Sequence, residues 1–423
     1  MKVKFRSGLA TATVVAALAL AFSGCGAPDK GGFSTTSTSS ATSSTSTAPA
    51  SSSSSSSGVP DKPAAPVTLN ILDIAGNLQL TQGMIDSFVA AHQDIIKSVT
   101  YSTGTAPDMP GKVKAQQDAG NVQIDMILTG TDGLASGISQ GLFLPIAATF
   151  KDRLSNMANY IKPAADMQTL AQDQGVAVVY YPSGPLLEYN PDTVKTPPTT
   201  PDELLAWAKA NPGKFGYARP ANSGPGRTFL MGLPYILGDS DPMDPTNGWT
   251  KTWDFLSQLN QYVDYYPTGT KATMQNIGDG TWDMIATTTG WYINPRVLGT
   301  VPASVKVGAF SKFTWVTDAQ YVVVPKGVSP DKQAAIMLLI NDMLTPEQNA
   351  KAYDKGYFYP GPAVQGADLS KAPKESQDAI NQFGVPEFAD WIANNPTALP
   401  LPADQMVKAY DLWDQKIGAG KTK

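Results

Sequence analysis

Between residues 67 and 144, short apolar runs alternate with stretches of helical period, and this alternation constrains the fold more than any other feature. Val67-Thr68-Leu69-Asn70-Ile71-Leu72-Asp73-Ile74 reads as a strand. After Ala75-Gly76-Asn77, residues Met84, Ile85, Phe88 and Val89 recur at helical spacing. A short strand at 99–101 and a helix at 111–120 follow. Ile124-Asp125-Met126-Ile127-Leu128 is nearly all apolar, as expected of a strand covered by helices on both faces. It runs into Thr129-Gly130-Thr131-Asp132-Gly133 and another helix. Strand, helix, strand, helix at this spacing predicts an α/β fold with a parallel sheet.

Downstream the pattern breaks at one place. Val176-Ala177-Val178-Val179-Tyr180-Tyr181 is a strand interrupted by Pro182-Ser183-Gly184-Pro185, and Leu186-Leu187-Glu188-Tyr189-Asn190 follows at once. Two strands separated only by a Pro/Gly kink suggest a crossing between lobes. Thr200-Pro201-Asp202-Glu203 starts a helix with a cap, a proline at the first helical position and the glutamate of a capping box. A strand at 215–219 opens into Pro220-Ala221-Asn222-Ser223-Gly224-Pro225-Gly226-Arg227-Thr228. The strand Met284-Ile285-Ala286 ends in Thr287-Thr288-Thr289-Gly290-Trp291-Tyr292, and residues 317–327 carry the return crossing. Helices start at Ser329-Pro330 and at Thr345-Pro346-Glu347-Gln348.

Composition narrows the chemistry. The apolar fraction is 42% and charged residues are 16%, so the body can bury a core. Net charge is −5 without a basic cluster beyond the N-terminus, which leaves a nucleic-acid partner unsupported. His92 is the sole histidine and Cys25 the sole cysteine, so His-rich metal sites are excluded and neither a metal nor a cofactor is expected. His92 continues the apolar helix pattern and is read as a helix-edge residue, not a base.

The N-terminus reads as an export signal. Lys2, Lys4 and Arg6 precede an apolar run ending Leu18-Ala19-Leu20-Ala21-Phe22-Ser23-Gly24-Cys25, too short to span about 30 Å of hydrocarbon. This segment resembles the bacterial lipobox, with Phe22 where an aliphatic residue usually stands. The resemblance implies acylation of Cys25 and cleavage just before it, and hence anchoring to the outer face of the cell membrane. From Ser34 to Ser57, 20 of 24 residues are Ser or Thr, and Pro60, Pro63 and Pro66 follow. Such a stretch buries nothing and is expected to be a disordered tether over 25–66. About 360 residues remain, enough for two cores.

The order of parts over about residues 67–364 resembles the extracellular solute-binding proteins of bacterial ABC importers, in the two-lobed class with polyamine-, thiamine- and iron-binding members (family 1). The matching pieces begin with Asp125-Met126-Ile127-Leu128 and its following Gly141-Leu142-Phe143-Leu144-Pro145. Leu187-Glu188-Tyr189-Asn190-Pro191 and Pro201-Asp202-Glu203-Leu204 come next. Asp279-Gly280-Thr281-Trp282-Asp283-Met284 matches with Asp283 in place of an alanine, and the matching pieces end on Gly361-Pro362-Ala363-Val364. The resemblance implies a type II periplasmic-binding-protein-like fold, each lobe a mostly parallel sheet flanked by helices, with crossing strands as hinge. The expected division is signal 1–24, tether 25–66, first lobe 67–182, second lobe 183–314, and 315–423 returning to the first lobe with C-terminal helices. It further implies a monomer that captures a small solute by hinge closure and delivers it to ABC permease and ATPase subunits. A wall hydrolase with paired carboxylates, or an adhesin, are the rival classes.

In open α/β sheets ligands sit beyond the carboxyl ends of strands. The candidate cleft residues are Asp73, Gly76 and Asn77; Thr129, Thr131 and Asp132; Tyr181 and Ser183; Arg219, Ser223 and Arg227; Trp291 and Tyr292; and Asp318. Asp73 and Asp132 could equally cap the helices that follow. The acids and aromatics suit a polyamine- or thiamine-like amine; Arg219 and Arg227 with the Ser/Gly loop suit a phosphorylated or carboxylated anion. The residues leave both open.

Overall fold

The computed structural model describes residues 58–74 and 76–421. Cys25, the signal segment and the Ser/Thr run lie outside the described residues. Eleven strands are present among the described ones. The first five are β1 (Val67–Ile74), β2 (Ile96–Gly104), β3 (Met126–Gly130), β4 (Val176–Gly184) and β5 (Leu186–Tyr189). Then come β6 (Phe215–Gly216), β7 (Met284–Thr287), β8 (Lys306–Gly308), β9 (Trp315–Val323), β10 (Gly361–Pro362) and β11 (Thr397–Ala398). They form two sheets, each with its own core.

The first sheet has the order β10-β4-β9-β3-β1-β2, with β11 beside β9. β1 pairs in parallel with β2 and β3, the predicted βαβ arrangement. β9 enters between β3 and β4 and is antiparallel to both. The second sheet, β6-β7-β5-β8, has β5 antiparallel to β7 and β8 and only β6–β7 parallel. The α/β class stands, but the sheets are mixed, not mostly parallel. The cause is the crossings, since strands that return between lobes run against the βαβ strands they join.

Those crossings fall where the Pro/Gly kink places them. All nine residues of β4 are buried, and β4 gives way to β5 across Pro185. β9 begins in the second core with Trp315 and Val316 and ends in the first with Tyr321, Val322 and Val323. The first core packs Leu69, Ile71, Ile127, Val178 and Val322 against helix Pro330–Met343 through Ile336, Leu339 and Ile340. The second is aromatic: Phe215, Tyr217, Phe229, Tyr266 and Trp413 form a continuous cluster with ring centroids 4.9–6.3 Å apart.

Two boundaries differ from expectation. Residues 315–423 do not all return to the first lobe. From Phe388 the chain joins the second core, and Phe388, Met406, Ala409, Trp413 and Ile417 are buried there. Helix Ala403–Trp413 also packs on helix Thr131–Ser139, so it touches both lobes. Residues 59–64, inside the expected tether, are docked on the first lobe. Val59 is buried in the first core, Arg153 donates to the carbonyls of Val59 and Pro60 at 2.7 Å each, and Ala64 N donates to Asp331. One apolar residue and an arginine reaching two carbonyls suffice to dock what composition alone marks as linker. No described helix is long and apolar enough to cross a membrane.

Helix starts follow the predicted chemistry. Thr200 accepts from Glu203 N at 3.2 Å, while the Glu203 carboxylate reaches back one residue further, to Thr199 N at 2.7 Å.

The second sheet buries an acid. Glu188 on β5 is fully enclosed and its carboxyl oxygens have no hydrogen-bond partner. Burial pushes its carboxyl from 4.5 up to about 8, against the smaller opposing effects of the Thr287 hydroxyl and the Arg296 guanidinium. The folded chain therefore holds a proton that the unfolded chain has released between these values. Stability contributed at this site falls as pH rises through that window, by up to about 1.4 kcal/mol per pH unit. Denaturant titrations from pH 5 to 8 should show Glu188→Gln losing less stability than the unsubstituted chain, by a few kcal/mol; parallel curves for the two would refute the assignment.

Candidate functional site

A cavity of about 490 Å³ lies between the two cores, with walls from both. The first lobe supplies Gly76, Gln79, Thr105, Asp132, Tyr181, Asp318, Gln320, Tyr357 and Phe358. The second supplies Asn222, Ser223, Arg227, Thr270, Lys271, Trp291, Asn294 and Leu298. Several of these stand at helix starts or strand ends, the positions the fold offers to a ligand.

The floor is an ion-paired cluster. Arg227 lies in the first turn of helix Gly224–Leu237, whose start Ser223 caps by accepting from Gly226 N at 3.1 Å. Its Nη2 pairs with Asp318 on β9, and its Nη1 lies 3.5 Å from Asp132 in the first turn of helix Thr131–Ser139. Asp318 also accepts from the Tyr181 hydroxyl, from Thr131 Oγ1 at 2.6 Å and from Ala319 N at 2.9 Å. Asp132 accepts from Gly133 N at 3.0 Å. The side chains of Arg227, Asp132 and Asp318 are 2%, 4% and 1% exposed. Burial raises the Asp132 carboxyl, Arg227 opposes that rise, and the Asp318 charge adds to it. For Arg227 burial works against the charge, but Asp318 and Asp132 outweigh it and hold the guanidinium well above its ordinary value. Two carboxyls thus face one guanidinium across the lobe boundary.

One wall is a column of rings. Tyr181 stacks on Phe358 at 4.7 Å, Phe358 stacks on Tyr357 at 4.2 Å, and Trp291 meets Tyr357 edge-on at 5.2 Å. Two glycines make the column possible. A Cβ on Gly290 would lie 2.1 Å from Phe358 N, and one on Gly76, at φ +71°, would lie 2.8 Å from the Tyr357 hydroxyl. At the edges, Gln79 Nε2 donates to Asn294 Oδ1 at 3.5 Å and Ala106 N donates to Asn222 Oδ1 at 3.4 Å, each joining the lobes.

Of the sequence-derived candidates, Gly76, Asp132, Tyr181, Ser223, Arg227, Trp291 and Asp318 line the cavity. The others do not. Asp73 accepts from Leu78 N at 3.0 Å, so its capping reading holds, and burial lifts its carboxyl to about 6. Asn77 is buried against Thr81 and the Tyr321 carbonyl. Thr129 donates to Gly130 O, Thr131 supports Asp318 from behind, and Ser183 is enclosed with no partner on its hydroxyl. Arg219 opens on a neighbouring recess, pairs with Asp414 and lies over the Trp413 ring. Tyr292 points away, donating to Val305 O at 2.9 Å with Arg296 over its ring.

Sequence reasoning missed Gln79, Thr270, Lys271, Asn294, Gln320, Tyr357 and Phe358. Gln320 carried a readable signal, because Asp318 and Gln320 are polar at i and i+2 within an apolar strand and so share a face. Among the described residues, no group of three or more His, Cys, Asp or Glu side chains could hold a metal ion.

Replacing Arg227 with Met leaves two buried carboxyls facing each other. We expect a loss of about 3–5 kcal/mol in denaturant unfolding. Asp132→Asn should cost less, since Arg227 keeps Asp318; equal costs would mean that the guanidinium does not anchor the cluster.

Residues 83–381 match the family model for bacterial extracellular solute-binding proteins. Solved structures share the fold. A putative spermidine/putrescine ABC transporter from Listeria monocytogenes is 16% identical at a TM-score of 0.58, covering 82% of this chain and 98% of its own. The periplasmic binding protein AfuA from Actinobacillus pleuropneumoniae, with exogenous fructose-6-phosphate bound, is 13% identical at 0.59, covering 83% and 98%. The binding protein MotA from A. tumefaciens B6, in complex with glucopine, is 18% identical at 0.56, covering 83% and 99%. No curated protein matches the chain.

Proposed function

The chain belongs to the bacterial extracellular solute-binding proteins, and from that premise we propose that it captures a small polar solute in the interlobe cavity and hands it to an ABC permease. The observation that carries this reading is the cavity itself, walled by both lobes and floored by a buried ion pair that crosses between them. A solute touching both walls stabilises the closed arrangement only, and so shifts the balance toward it. Closure bends the chain at β4–β5 and β8–β9, where strands pass from one core to the other. The hydrolase alternative needs two free carboxyls on one groove; Asp132 and Asp318 are both engaged by Arg227.

The two arginines that favoured an anion are both paired within the protein, Arg227 with Asp318 and Asp132, Arg219 with Asp414. Lys271 is the remaining cationic side chain on the cavity wall. The likeness to a putative spermidine/putrescine ABC transporter and to binding proteins solved with fructose-6-phosphate and with glucopine leaves the range of solutes wide, and a test panel should span it. Putrescine, spermidine, glucosamine, glucitol, succinate and fructose 6-phosphate, each at millimolar concentration, serve. At 100-fold excess over its Kd, a true solute should raise the melting temperature by about 3–6 °C without being consumed. No shift from any of them, with cleavage of wall glycan instead, would sink the reading.

Location is the second part of the proposal. Acylated at Cys25, the chain would sit on the outer face of the membrane and its Ser/Thr-rich segment would span the distance to the body. Cys25→Ser should move the protein from the detergent phase of a phase-separation assay into the medium; unchanged partitioning would count against the anchor.

A further inference from the structure

Among the described residues, one buried acceptor on the cavity wall is left without a donor. Gln320 lies on β9 two residues from Asp318, lines the cavity and is 2% exposed. Its Oε1 has no hydrogen-bond partner. Its neighbours on the same floor do: Asp318 accepts from Thr131, Tyr181 and Arg227, and Asp132 accepts from Gly133 N. The strand register explains why nothing covers the amide. Gln320 stands opposite Gly130 on β3, which has no side chain, and opposite Val179 on β4, which offers no polar group. A buried carbonyl oxygen without a donor bears its full desolvation cost. Its position beside the ion-paired cluster is where that cost can be recovered by a solute.

We propose that Gln320 is the specificity-determining residue of the cavity, and that the solute places an N–H or O–H donor on its Oε1. The inference rests on the solute-capture reading and names the chemistry that reading leaves open. The surroundings limit what the donor-bearing end can be. Asp318 and Asp132 outnumber Arg227, so a carboxylate or phosphate at this end would meet acids whose cation is already taken. The ring column beside Tyr181 gives a flat apolar wall for a carbon skeleton. Amines, amino sugars and polyols meet these conditions. An anionic group on the same solute would be matched by Lys271, the cation that the second lobe adds to the cavity wall.

The test uses the full chain with the six solutes above and two variants. Gln320→Met keeps the volume and removes the unpartnered amide. Without solute it should melt at or above the temperature of the unsubstituted protein, while its Kd for putrescine, spermidine, glucosamine or glucitol weakens at least about tenfold. Gln320→Glu keeps an acceptor oxygen and should bind the same solute within about threefold or more tightly. Three results overturn the proposal. They are unchanged affinity in Gln320→Met, a melting temperature for solute-free Gln320→Met several degrees lower, and a loss in Gln320→Glu as large as in Gln320→Met. If the unsubstituted protein is shifted only by succinate or fructose 6-phosphate, the donor assignment fails while solute capture stands. If none of the six shifts it, solute capture fails first.

Discussion

The Arg227 cluster is the interaction on which the rest of the site depends. Burying three ionisable groups costs several kcal/mol for each ion, and the attraction between them repays it only where the remaining lone pairs are also satisfied. Here they largely are, since Asp318 takes three donors besides Arg227. Such a cluster is poor evidence of net stability. What it does is select one arrangement of the two lobes, because any slip of the second lobe would strand two acids in an apolar interface. The supports come from elements that are rigid for other reasons: two fully buried strands and the first turns of two helices.

The proposed closure would be restrained on a second side. Helix Ala403–Trp413 is rooted in the aromatic core through Met406, Ala409 and Trp413, yet lies against helix Thr131–Ser139 of the other lobe. It brings Tyr410 to the same cluster, where the charges of Arg227, Asp132 and Asp318 all act on its hydroxyl. A pure hinge at the crossing strands would have to open this contact too. The proposed closure would therefore combine a hinge with a slide of one packed helix over another.

Much of this architecture was legible in the sequence because its causes are local. The βαβ start, the break at residues 182–185 and the capped helix at Thr200 are decided by residues near one another. Asp132, Arg227 and Trp291 were legible for the same reason, since each lies in the first turn of a helix, while Tyr181 and Asp318 were legible from the crossing strands β4 and β9 that carry them. What sequence could not show was long-range. Nothing in residues 315–323 says that their strand will run antiparallel between β3 and β4, and nothing in Tyr357-Phe358 says that these rings will stack on Tyr181. Asp73 and Asp132 illustrate the limit. Both acids stand at a strand-to-helix turn, Asp73 one residue from the end of β1 and Asp132 second in its helix, and only the fold makes one a cap and the other a cleft residue.

The distribution of unsatisfied groups carries the argument one step further. Buried polar atoms without partners are uncommon in folded proteins, and each asks for a cause. In this chain Gln320 Oε1, Arg227 Nε, Ser183 Oγ and Tyr410 Oη belong to the cavity floor or to the strands and helix that back it. Glu188 and Thr287 form a separate pair, on β5 and β7 immediately past a crossing. Arg219 Nε, Asp342 Oδ2 and Asp354 Oδ2 are unpartnered elsewhere, but singly, so among the described residues the densest group is the one around the cavity floor. The unpartnered atoms that face the cavity, Gln320 Oε1 and Arg227 Nε, are the ones an incoming polar molecule can engage.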